Sequence, residues 1–347
     1  MQPALQTLFY RHFGVEPEHI LSLKGDGSDR RVFRLTANDI SVIGVFGANA
    51  AENEAFVSFS RHFAAHGLPV PEILSYNAAQ GVYLETDFGD QTLFDWLRSV
   101  RALPNFVALR SSMYRKVLEY LPRFQIQAGR TIDFNRCYQT RSFEAEAMLR
   151  DLLYFRHTFL RRFVRRPFDD NALLQDFYHL INRLLEEQAG FFLYRDLQSR
   201  NIMIQNNAPH FIDYQSGRLG ALEYDPASLL YDANVELTED LREELLPAYL
   251  EAVNRFVRMP CTHFKQYFYD FALIRVLQAL AAFCFLSFEK GKIHLAQNIP
   301  YGFANLNLLM DKSRAFQRMN TLRRIVSDEL ESVTKLSKDE TPCAGIL

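Results

Sequence analysis

The spacing of apolar residues changes once along this chain, near Gly89, and that change constrains the fold more than any other feature. From about residue 20 to residue 90, short runs rich in β-branched and aromatic residues alternate with Gly, Asn and Asp turns, which predicts strands. Beyond Gly89, most of the 347-residue chain has apolar residues at helical spacing. The sequence therefore predicts a bilobal α+β fold, with a small β-rich N-terminal lobe and a large, mainly helical C-terminal lobe.

The predicted elements also suggest where the lobes meet. The strands expected in the first lobe are HILSLKG, RRVFRLT, ISVIGVFG, PEILSYN and GVYLETD. A helix, NAAENEAFVSFSRHFAAHG, separates the third strand from the fourth, and Gly67 ends it. Two more short strands, FFLY and HFIDY, interrupt the helical part. We expect an N-lobe over 1–88, a C-lobe over 89–327 and a polar, loosely held tail over 328–347.

The composition excludes several classes of protein. Apolar residues make up 48% of the chain, and the net charge is -2, so neither disorder nor a general attraction to nucleic acid or anionic membranes is expected. The four cysteines form no CxxC pair, which favours a reducing, cytoplasmic compartment over a zinc site or a disulfide framework. The late run FALIRVLQALAAFCFLSF contains Arg275 and Gln278, so it predicts a buried helix rather than a membrane span.

Two aspartates and an asparagine stand out in the stretch FFLYRDLQSRNIMIQNNAPHFIDYQSG, which begins at residue 191. Asn201 lies five residues after Asp196, and Asp213 ends the next apolar run. Phosphoryl transfer needs a base for the acceptor hydroxyl and Mg²⁺ held by hard oxygen ligands. The spacing predicts that Asp196 is the base and that Asn201 and Asp213 bind Mg²⁺. The alternative is that both aspartates only form turns or cap helices.

A glycine-rich turn near the start predicts a phosphate site. In LKGDGSDRRVFRL, Gly25 and Gly27 allow backbone N–H groups to approach phosphate oxygens, and the Ser28 hydroxyl could donate to them. Arg30 and Arg31 alternate in direction along a strand, so one of them should point to the nucleotide, and Arg31 is the predicted one. The alternative is a plain hairpin turn.

These segments resemble a known family. YRDLQSRNIM followed by FIDYQSGRLGALEYDPASLLYD resembles the aminoglycoside phosphotransferase-like branch of the protein-kinase-like superfamily. Within it, GDGSDRRVFRL and RVLQALAAFCFLSFEKGKIHLAQNIPYGF make the chain most similar to the N-acetylmuramate/N-acetylglucosamine anomeric kinases. The resemblance implies a protein-kinase-like fold, ATP and Mg²⁺ as cofactors, and the same roles for Asp196, Asn201 and Asp213. It also implies a structural role for Asp225, which Asp-Pro chemistry predicts to be a helix N-cap.

The third strand, ISVIGVFG, departs from the wider kinase pattern because it has no lysine to hold the nucleotide phosphates. Glu54, on the following helix, is predicted to belong to the nucleotide site by pairing with Arg31 or Arg34. Glu52 is the other candidate, although a solvated position on the helix face is the simpler expectation for it.

Further predicted site residues lie in the hinge and on the acceptor side. In kinase-like folds the adenine of the nucleotide binds the hinge backbone, which assigns Glu85 and Asp87 to the nucleotide site. Arg195, Glu146 and Arg275 are the predicted acceptor-binding residues. For Glu146 the alternative is a surface acid on a helix, and for Arg275 it is a polar partner within the helical core.

The sequence thus predicts an ATP-dependent kinase that phosphorylates a hydroxyl of a small molecule, with the anomeric hydroxyl of an N-acetyl amino sugar as the leading acceptor. One alternative is a kinase for another small alcohol or an aminoglycoside. The other is a nucleotide-binding pseudokinase or regulatory module, suggested by the missing lysine. No nucleic-acid or membrane partner is expected, and the sequence carries no signal for the oligomeric state.

Overall fold

A computed structural model of the chain describes residues 1–23, 30–164 and 166–336. The chain forms two compact units whose segments alternate along the sequence. Unit 1 comprises Met1–Arg141, Phe191–Leu219 and Glu243–Arg258, and unit 2 comprises Ser142–Gly190, Gly220–Arg242 and Met259–Leu347. The division follows packing rather than sequence order, so the lobe boundaries expected at residues 88 and 327 stay predictions.

The five strands predicted near the N-terminus form one antiparallel sheet in unit 1, in the order β1-β2-β3-β5-β4. Their bounds are β1 His19–Leu23, β2 Arg31–Ala37, β3 Ile40–Phe46, β4 Ile73–Asn77 and β5 Val82–Thr86. The central strand β3 pairs Phe46 with Arg31 of β2, and Val42 with Thr86 of β5. All five strand predictions are confirmed.

Helix α1 (Gln2–Phe13) packs against the sheet and forms a small apolar core with it. Leu5, Leu8 and Phe9 are buried there against strand residues such as Leu35. Gly44 of β3 leaves room for this packing, since a Cβ at that position would lie 2.5 Å from Leu35 Cδ1 of β2 and 3.1 Å from Leu5 Cδ2 of α1. Burial of this face explains why apolar residues alternate along the strands.

Three more helices of unit 1 are α2 (Ala50–Ala65), α3 (Leu93–Val100) and α4 (Phe106–Pro122). The Asn49 side chain caps α2 by accepting from the Glu52 N–H, and Gly67, at φ 65°, ends the segment as predicted. At α3, Thr92 is the N-cap: its Oγ1 accepts from the Asp95 N–H and donates to the Asp95 carboxylate.

Four short strands follow: β6 Phe191–Leu193, β7 Ile202–Gln205, β8 Ala208–Phe211 and β9 Arg218–Gly220. Strands β7 and β8 form an antiparallel hairpin whose two turn residues, Asn206 and Asn207, both have positive φ. Such a turn matches the twist of the flanking strands. The hairpin connects Asn201, just before β7, to Asp213, just after β8, and therefore brings them together.

Unit 2 is helical. Its helices are α5 Ala145–Phe155, α6 Arg161–Phe163, α7 Asp170–Leu184, α8 Tyr224–Leu230, α10 Cys261–Cys284, α11 Ile299–Lys312 and α12 Asn320–Leu336, while α9 (Glu239–Asn254) begins in unit 2 and continues in unit 1. Helix α8 begins with Glu223 at the N-cap, so Asp225 lies in its first turn, fully buried, and the prediction that Asp225 is the N-cap is wrong.

Helix α10 and the turn after it, Cys261–Glu289, are long and apolar enough to cross a membrane by length and composition alone. However, 67% of the most apolar 18-residue window is buried inside the protein, as in the core helix of a folded protein. Polar side chains on this helix have protein partners: Arg275 Nε donates to Ser228 Oγ over 2.8 Å, and Asp270 accepts from Ser313 Oγ over 2.6 Å. These observations agree with the prediction of a buried helix.

Candidate active site

Buried aromatic side chains hold the two predicted catalytic segments in unit 1. Tyr194 and Tyr214 are fully buried and meet edge to face at 5.8 Å between ring centroids. Tyr214 also stacks on Phe56 of α2 at 5.1 Å, and its hydroxyl lies 2.7 Å from Ser60 Oγ. Because Tyr194 precedes Asp196 by two residues and Tyr214 directly follows Asp213, this packing fixes the backbone that carries both carboxylates.

The backbone is strained at both predicted catalytic segments. Arg195 has φ 81° and Asp213 has φ 69°, in the left-handed region that residues other than glycine rarely adopt. Each such residue costs roughly 1–3 kcal/mol and persists only when its surroundings enforce it. Strain of this kind clusters at functional sites, which supports a functional rather than a simple turn-forming role for these residues.

The Asn201 side chain links the two aspartates. Its Nδ2 donates to the Asp196 backbone carbonyl over 2.8 Å and approaches Asp213 Oδ2 at 3.3 Å. The Asn201 carbonyl accepts from the Ile212 N–H over 3.1 Å, which ties the two ends of the β7–β8 hairpin. With the amide nitrogen directed to these oxygens, the orientation of the side chain presents Oδ1 as an oxygen ligand for a cation.

Asp213 is surrounded by donors yet keeps an accessible surface. Its Oδ1 accepts from Arg30 Nη2 and from Gln215 Nε2, the latter over 2.9 Å. The Asp213 side chain nevertheless remains 33% exposed. A carboxylate has about four lone-pair positions, so these contacts leave room for a further ligand.

Arg30 lies where four groups converge. Its Nε is 3.5 Å from Glu52 Oε1, its Nη1 donates to the Tyr83 hydroxyl over 3.3 Å, and its guanidinium lies 5.6 Å from the centroid of the Phe56 ring. Burial alone would lower the pKa of Arg30, but Tyr83, Asp213 and Glu52 outweigh it and raise the pKa above its ordinary value. The guanidinium therefore stays charged.

Gln215 completes a ring of polar contacts with these groups. Besides Asp213, its Nε2 reaches Glu52 Oε1 at 3.5 Å, so Arg30 and Gln215 each contact both Glu52 and Asp213. Gln215 Oε1 is buried and has no hydrogen-bond partner. Glu52 is thus part of the site rather than a solvated helix-face charge.

The oxygen atoms of Asn201 and Asp213 are suitable ligands for a hard divalent cation. Asn201 Oδ1 and the Asp213 carboxylate are the oxygen ligands that Mg²⁺ prefers, with the remaining positions filled by water and phosphate. Within residues 1–23, 30–164 and 166–336, no cluster of three or more His, Cys, Asp or Glu side chains could form an all-protein metal site. The three cysteines in that part of the chain are unbonded.

On the predicted phosphate side, Gly25, Gly27 and Ser28 lie outside the described residues. Arg31 begins β2 with an exposed side chain, whereas its neighbour Arg30 reaches Asp213. The expectation that one of the two arginines points inward is consistent with this arrangement, but the inward position belongs to Arg30.

Glu54 does not pair with Arg31 or Arg34. It forms an exposed ion pair with Arg136 at 3.1 Å, and Arg34 Nε instead donates to Asp87 over 2.6 Å. The carboxylate that α2 directs to Arg30 is that of Glu52, two residues earlier on the helix.

The two predicted hinge residues have different environments. Asp87 accepts from Arg34 and from Ser41 Oγ, and these bonds together with that from the Gly89 N–H lower its pKa although burial opposes the shift. Glu85 keeps partial exposure, but its Oε2 is buried and has no partner. Burial raises the pKa of Glu85 to about 8, with Asp213 and Asp87 adding to the shift and Arg30 opposing it.

The three predicted acceptor-binding residues are divided between the two units. Arg195 is buried within the predicted catalytic segment of unit 1, whereas Glu146 and Arg275 belong to unit 2. Glu146 forms an exposed ion pair with Arg150 at 2.7 Å, one turn along α5. Arg275 donates to Ser228 and to Gln278, so the polar partner expected within the helical core is present.

Tyr138 is a site residue that the sequence did not indicate. Its hydroxyl lies 3.4 Å from Ser216 Oγ and accepts from Gln139 Nε2 over 2.7 Å. Burial and the nearby carboxylates of Glu52 and Asp196 raise the pKa of Tyr138, although both hydrogen bonds oppose the shift. The segment around Tyr138 has no periodic pattern or motif, so only the fold brings this hydroxyl near Asp196.

Most of this chain matches a known protein family. A model of the phosphotransferase enzyme family, APH, matches residues 19–260, well over half of the chain. The chain belongs to the phosphotransferase enzyme family. The match spans the β-rich region and the segment that contains Asp196, Asn201 and Asp213, and membership of the family makes this chain an enzyme that transfers a phosphoryl group to a hydroxyl.

Two relatives of this phosphotransferase are both named N-acetylmuramate/N-acetylglucosamine kinase. The protein from Pseudomonas aeruginosa is 26% identical over 245 residues, which cover 70% of this chain and 66%, just under two thirds, of the relative. The protein from Neisseria meningitidis serogroup B is 24% identical over 318 residues, which cover 88% of this chain and 91% of the relative.

Solved structures support the fold. The amicoumacin kinase hAmiN, in complex with AMP-PNP, Ca²⁺ and Ami, matches with a TM-score of 0.60 at 12% sequence identity, covering 90% of this chain and 94% of that chain. At this identity the likeness shows the fold alone. It confirms the predicted protein-kinase-like fold of this phosphotransferase, with a small N-terminal sheet and a larger helical C-terminal part.

Proposed function

We propose that this phosphotransferase transfers the terminal phosphoryl group of ATP to the anomeric hydroxyl of an N-acetyl amino sugar. One observation carries the kinase part of the proposal: the Asn201 amide is oriented by the Asp196 carbonyl and faces Asp213. A base, a neutral oxygen and a charged oxygen are thereby held together, as phosphoryl transfer requires.

Asp196 acts as the base in this proposal. Its side chain is partly exposed, which allows an acceptor hydroxyl to reach the carboxylate. As the acceptor oxygen bonds to the terminal phosphorus, its proton passes to Asp196, and the bond from that phosphorus to the bridging oxygen breaks to release ADP. The rigid packing of Tyr194 keeps the carboxylate in place for this transfer.

Asn201 and Asp213 would hold Mg²⁺. The metal, when bound, offsets the negative charge of the transferring phosphates. The protein's own contribution is to fix both oxygen ligands before the nucleotide arrives, through the hydrogen bonds of Asn201 and the enforced backbone of Asp213.

The choice of acceptor rests on the two relatives named N-acetylmuramate/N-acetylglucosamine kinase, one of which aligns with 88% of this chain. The site also contains neutral hydrogen-bonding groups near Asp196, namely the Tyr138 and Ser216 hydroxyls. Hydroxyls of this kind suit the recognition of a polyhydroxy acceptor.

The test is ADP release from Mg·ATP across a panel of free sugars, amino alcohols and aminoglycosides. We expect turnover with N-acetylglucosamine or N-acetylmuramate, and a loss of about 10²- to 10⁴-fold in kcat for Asp196→Asn, which removes the base but keeps the shape of the side chain. Mg·AMP-PNP binding by the variant, measured by calorimetry, should match the wild type.

Other results would redirect the proposal. Turnover with an amino alcohol or an aminoglycoside alone would keep the kinase mechanism and replace the acceptor. Wild-type turnover by Asp196→Asn would refute the assignment of the base. Nucleotide binding without turnover of any acceptor would favour the pseudokinase alternative.

A further inference from the structure

The guanidinium of Arg30 contacts the proposed metal site. Arg30 lies just before β2, whereas the lysine of the wider kinase pattern lies on the third strand. The third strand has no lysine, and the residue that reaches Asp213 from the sheet is Arg30, just before β2. Arg30 is largely buried, and its donors contact Glu52, Tyr83 and Asp213. An arginine is well suited to phosphate because its donors can bind two oxygens at once.

The contact between Arg30 and Asp213 conflicts with metal binding on the same carboxylate. Arg30 Nη2 donates to Asp213 Oδ1, an oxygen of the proposed metal ligand. A divalent cation on Asp213 would lie next to the guanidinium, and like charges at such distances repel strongly in a partly buried site. The conflict disappears if the guanidinium has an anionic partner to move to.

Two contacts would hold one side of the Arg30 guanidinium while its Nη2 exchanges partners. Glu52 and Tyr83 bind the Nε and Nη1 side of the guanidinium, and Phe56 packs beneath it, while Nη2 is the nitrogen directed to Asp213. Gln215 can keep both Glu52 and Asp213 oriented, since its Nε2 contacts each of them.

We infer that Arg30 has two successive partners: it neutralises Asp213 in the nucleotide-free protein, and it binds the phosphates of the incoming Mg·nucleotide, in place of the missing lysine. The inference rests on the proposed function. Metal without nucleotide should bind poorly, because it must displace Arg30 from Asp213 without bringing a phosphate that could replace this carboxylate as a partner of Nη2. Metal with nucleotide brings the phosphates that receive it.

The test uses Arg30→Met in the full-length protein, with two separate readouts. Mn²⁺ binding without nucleotide is followed by the loss of the free-ion signal in electron paramagnetic resonance. Removal of the Arg30 guanidinium, the resident cation beside Asp213, should tighten Mn²⁺ binding by at least about tenfold. Binding of Mg·AMP-PNP, measured by calorimetry, should instead weaken by about 10- to 100-fold, because the charge-assisted bonds to phosphate are lost.

Two further variants keep the test decisive. Arg101→Met makes the same change at an exposed position after α3 and should alter neither readout. Arg30→Lys retains the charge, so its Mn²⁺ affinity should stay near the wild-type value even if Arg30→Met proves too unstable to assay. Circular dichroism establishes that each variant is folded.

The opposite signs of the two effects separate the outcomes. Unchanged or weaker Mn²⁺ binding by Arg30→Met, or tighter Mn²⁺ binding by Arg30→Lys, would overturn the role at Asp213. Wild-type Mg·AMP-PNP affinity in Arg30→Met would overturn the role at the phosphates. If the wild type itself binds no Mg·AMP-PNP, the proposed function fails, and the Mn²⁺ readout still decides the resident-cation role.

Discussion

Two carboxylates with arginine partners, Asp213 in unit 1 and Asp270 in unit 2, have opposite characters. Asp270 is fully buried in α10 and accepts from Arg183 Nε, from Ser313 Oγ and from the Ala315 N–H, at 3.3, 2.6 and 3.0 Å. Asp213 is one third exposed and has a left-handed backbone.

This contrast suggests how a structural carboxylate can be distinguished from a candidate catalytic one. At Asp270 the donors come from α7 and from the turn after α11, so the charge joins elements of the core, and the lone pairs are used by the protein itself. At Asp213 the donors are adjacent to Asn201, the other proposed metal ligand, and the backbone is in the left-handed region. An arginine partner therefore does not by itself show whether a carboxylate is structural or catalytic. The exposure of the carboxylate, and whether protein donors use all its lone pairs (its saturation), are more informative.

Asp213→Asn should have the strongest consequence, since it removes the charge of a proposed metal ligand and keeps the size of the side chain. We expect kcat/KM to fall by about 10³-fold or more, because charge neutralisation by the metal is worth several kcal/mol in the transition state. The free energy of unfolding should change less than at Asp270, because the buried Arg30 keeps Glu52 as a partner and Asp213 is itself partly exposed. Coupled ADP assays and urea unfolding check the two halves, and near-normal activity would refute the assignment.

Asp270→Asn should show the reverse pattern. It leaves the Arg183 guanidinium without its buried carboxylate, and breaking a buried ion pair from one side typically costs about 3–5 kcal/mol of unfolding free energy. The activity per folded molecule should be retained at low temperature. A loss of activity without a loss of stability would show that saturation does not identify a structural carboxylate.

Glu85 adds a third kind of carboxyl, with a buried oxygen that has no partner. Burial raises its pKa from 4.5 to about 8, so the folded state holds a proton that the unfolded state loses in this range. The unfolding free energy should therefore fall as pH rises from about 4.5 to 8. Glu85→Gln should flatten this part of the curve in urea unfolding series, and an unchanged slope would rule out the shift.

Tyr138→Phe should have a mild effect, since it removes only a hydroxyl near Asp196. If this hydroxyl contacts the acceptor, the KM for the acceptor should rise about 2- to 10-fold, the usual value of one neutral hydrogen bond. The KM for ATP should not change. A change in the KM for ATP alone would place Tyr138 on the nucleotide side.

The sequence predicted the strands of the N-terminal sheet and the approach of Asn201 to Asp213, while the catalytic role of that segment stays a prediction. Five strands follow from alternating burial, and the proximity of Asn201 to Asp213 follows from a short hairpin, so local rules were sufficient. Helix ends were predicted less well: the start of α8 is at Tyr224, so that Asp225 is not its cap.

Contacts between residues far apart in the sequence could not be predicted from sequence patterns. The choice between Arg30 and Arg31 depends on how the strand begins, and the choice between Glu52 and Glu54 depends on the rotation of α2 about its axis. Neither can be read from spacing alone, because a shift of one residue reverses a strand's faces. Tyr138 joins the site through tertiary packing, which leaves no local signal.

The proposed role of the Asp196, Asn201 and Asp213 site, phosphorylation of a sugar hydroxyl, can be observed in the product itself. The decisive measurement is ³¹P and ¹H NMR of the material formed from Mg·ATP and N-acetylglucosamine. We expect one new phosphate ester whose phosphorus couples to the anomeric proton, formed in equal amount to ADP and absent in samples without Mg²⁺. Only inorganic phosphate beside ADP, or no consumption of ATP with any sugar, would show that the site does not phosphorylate sugars.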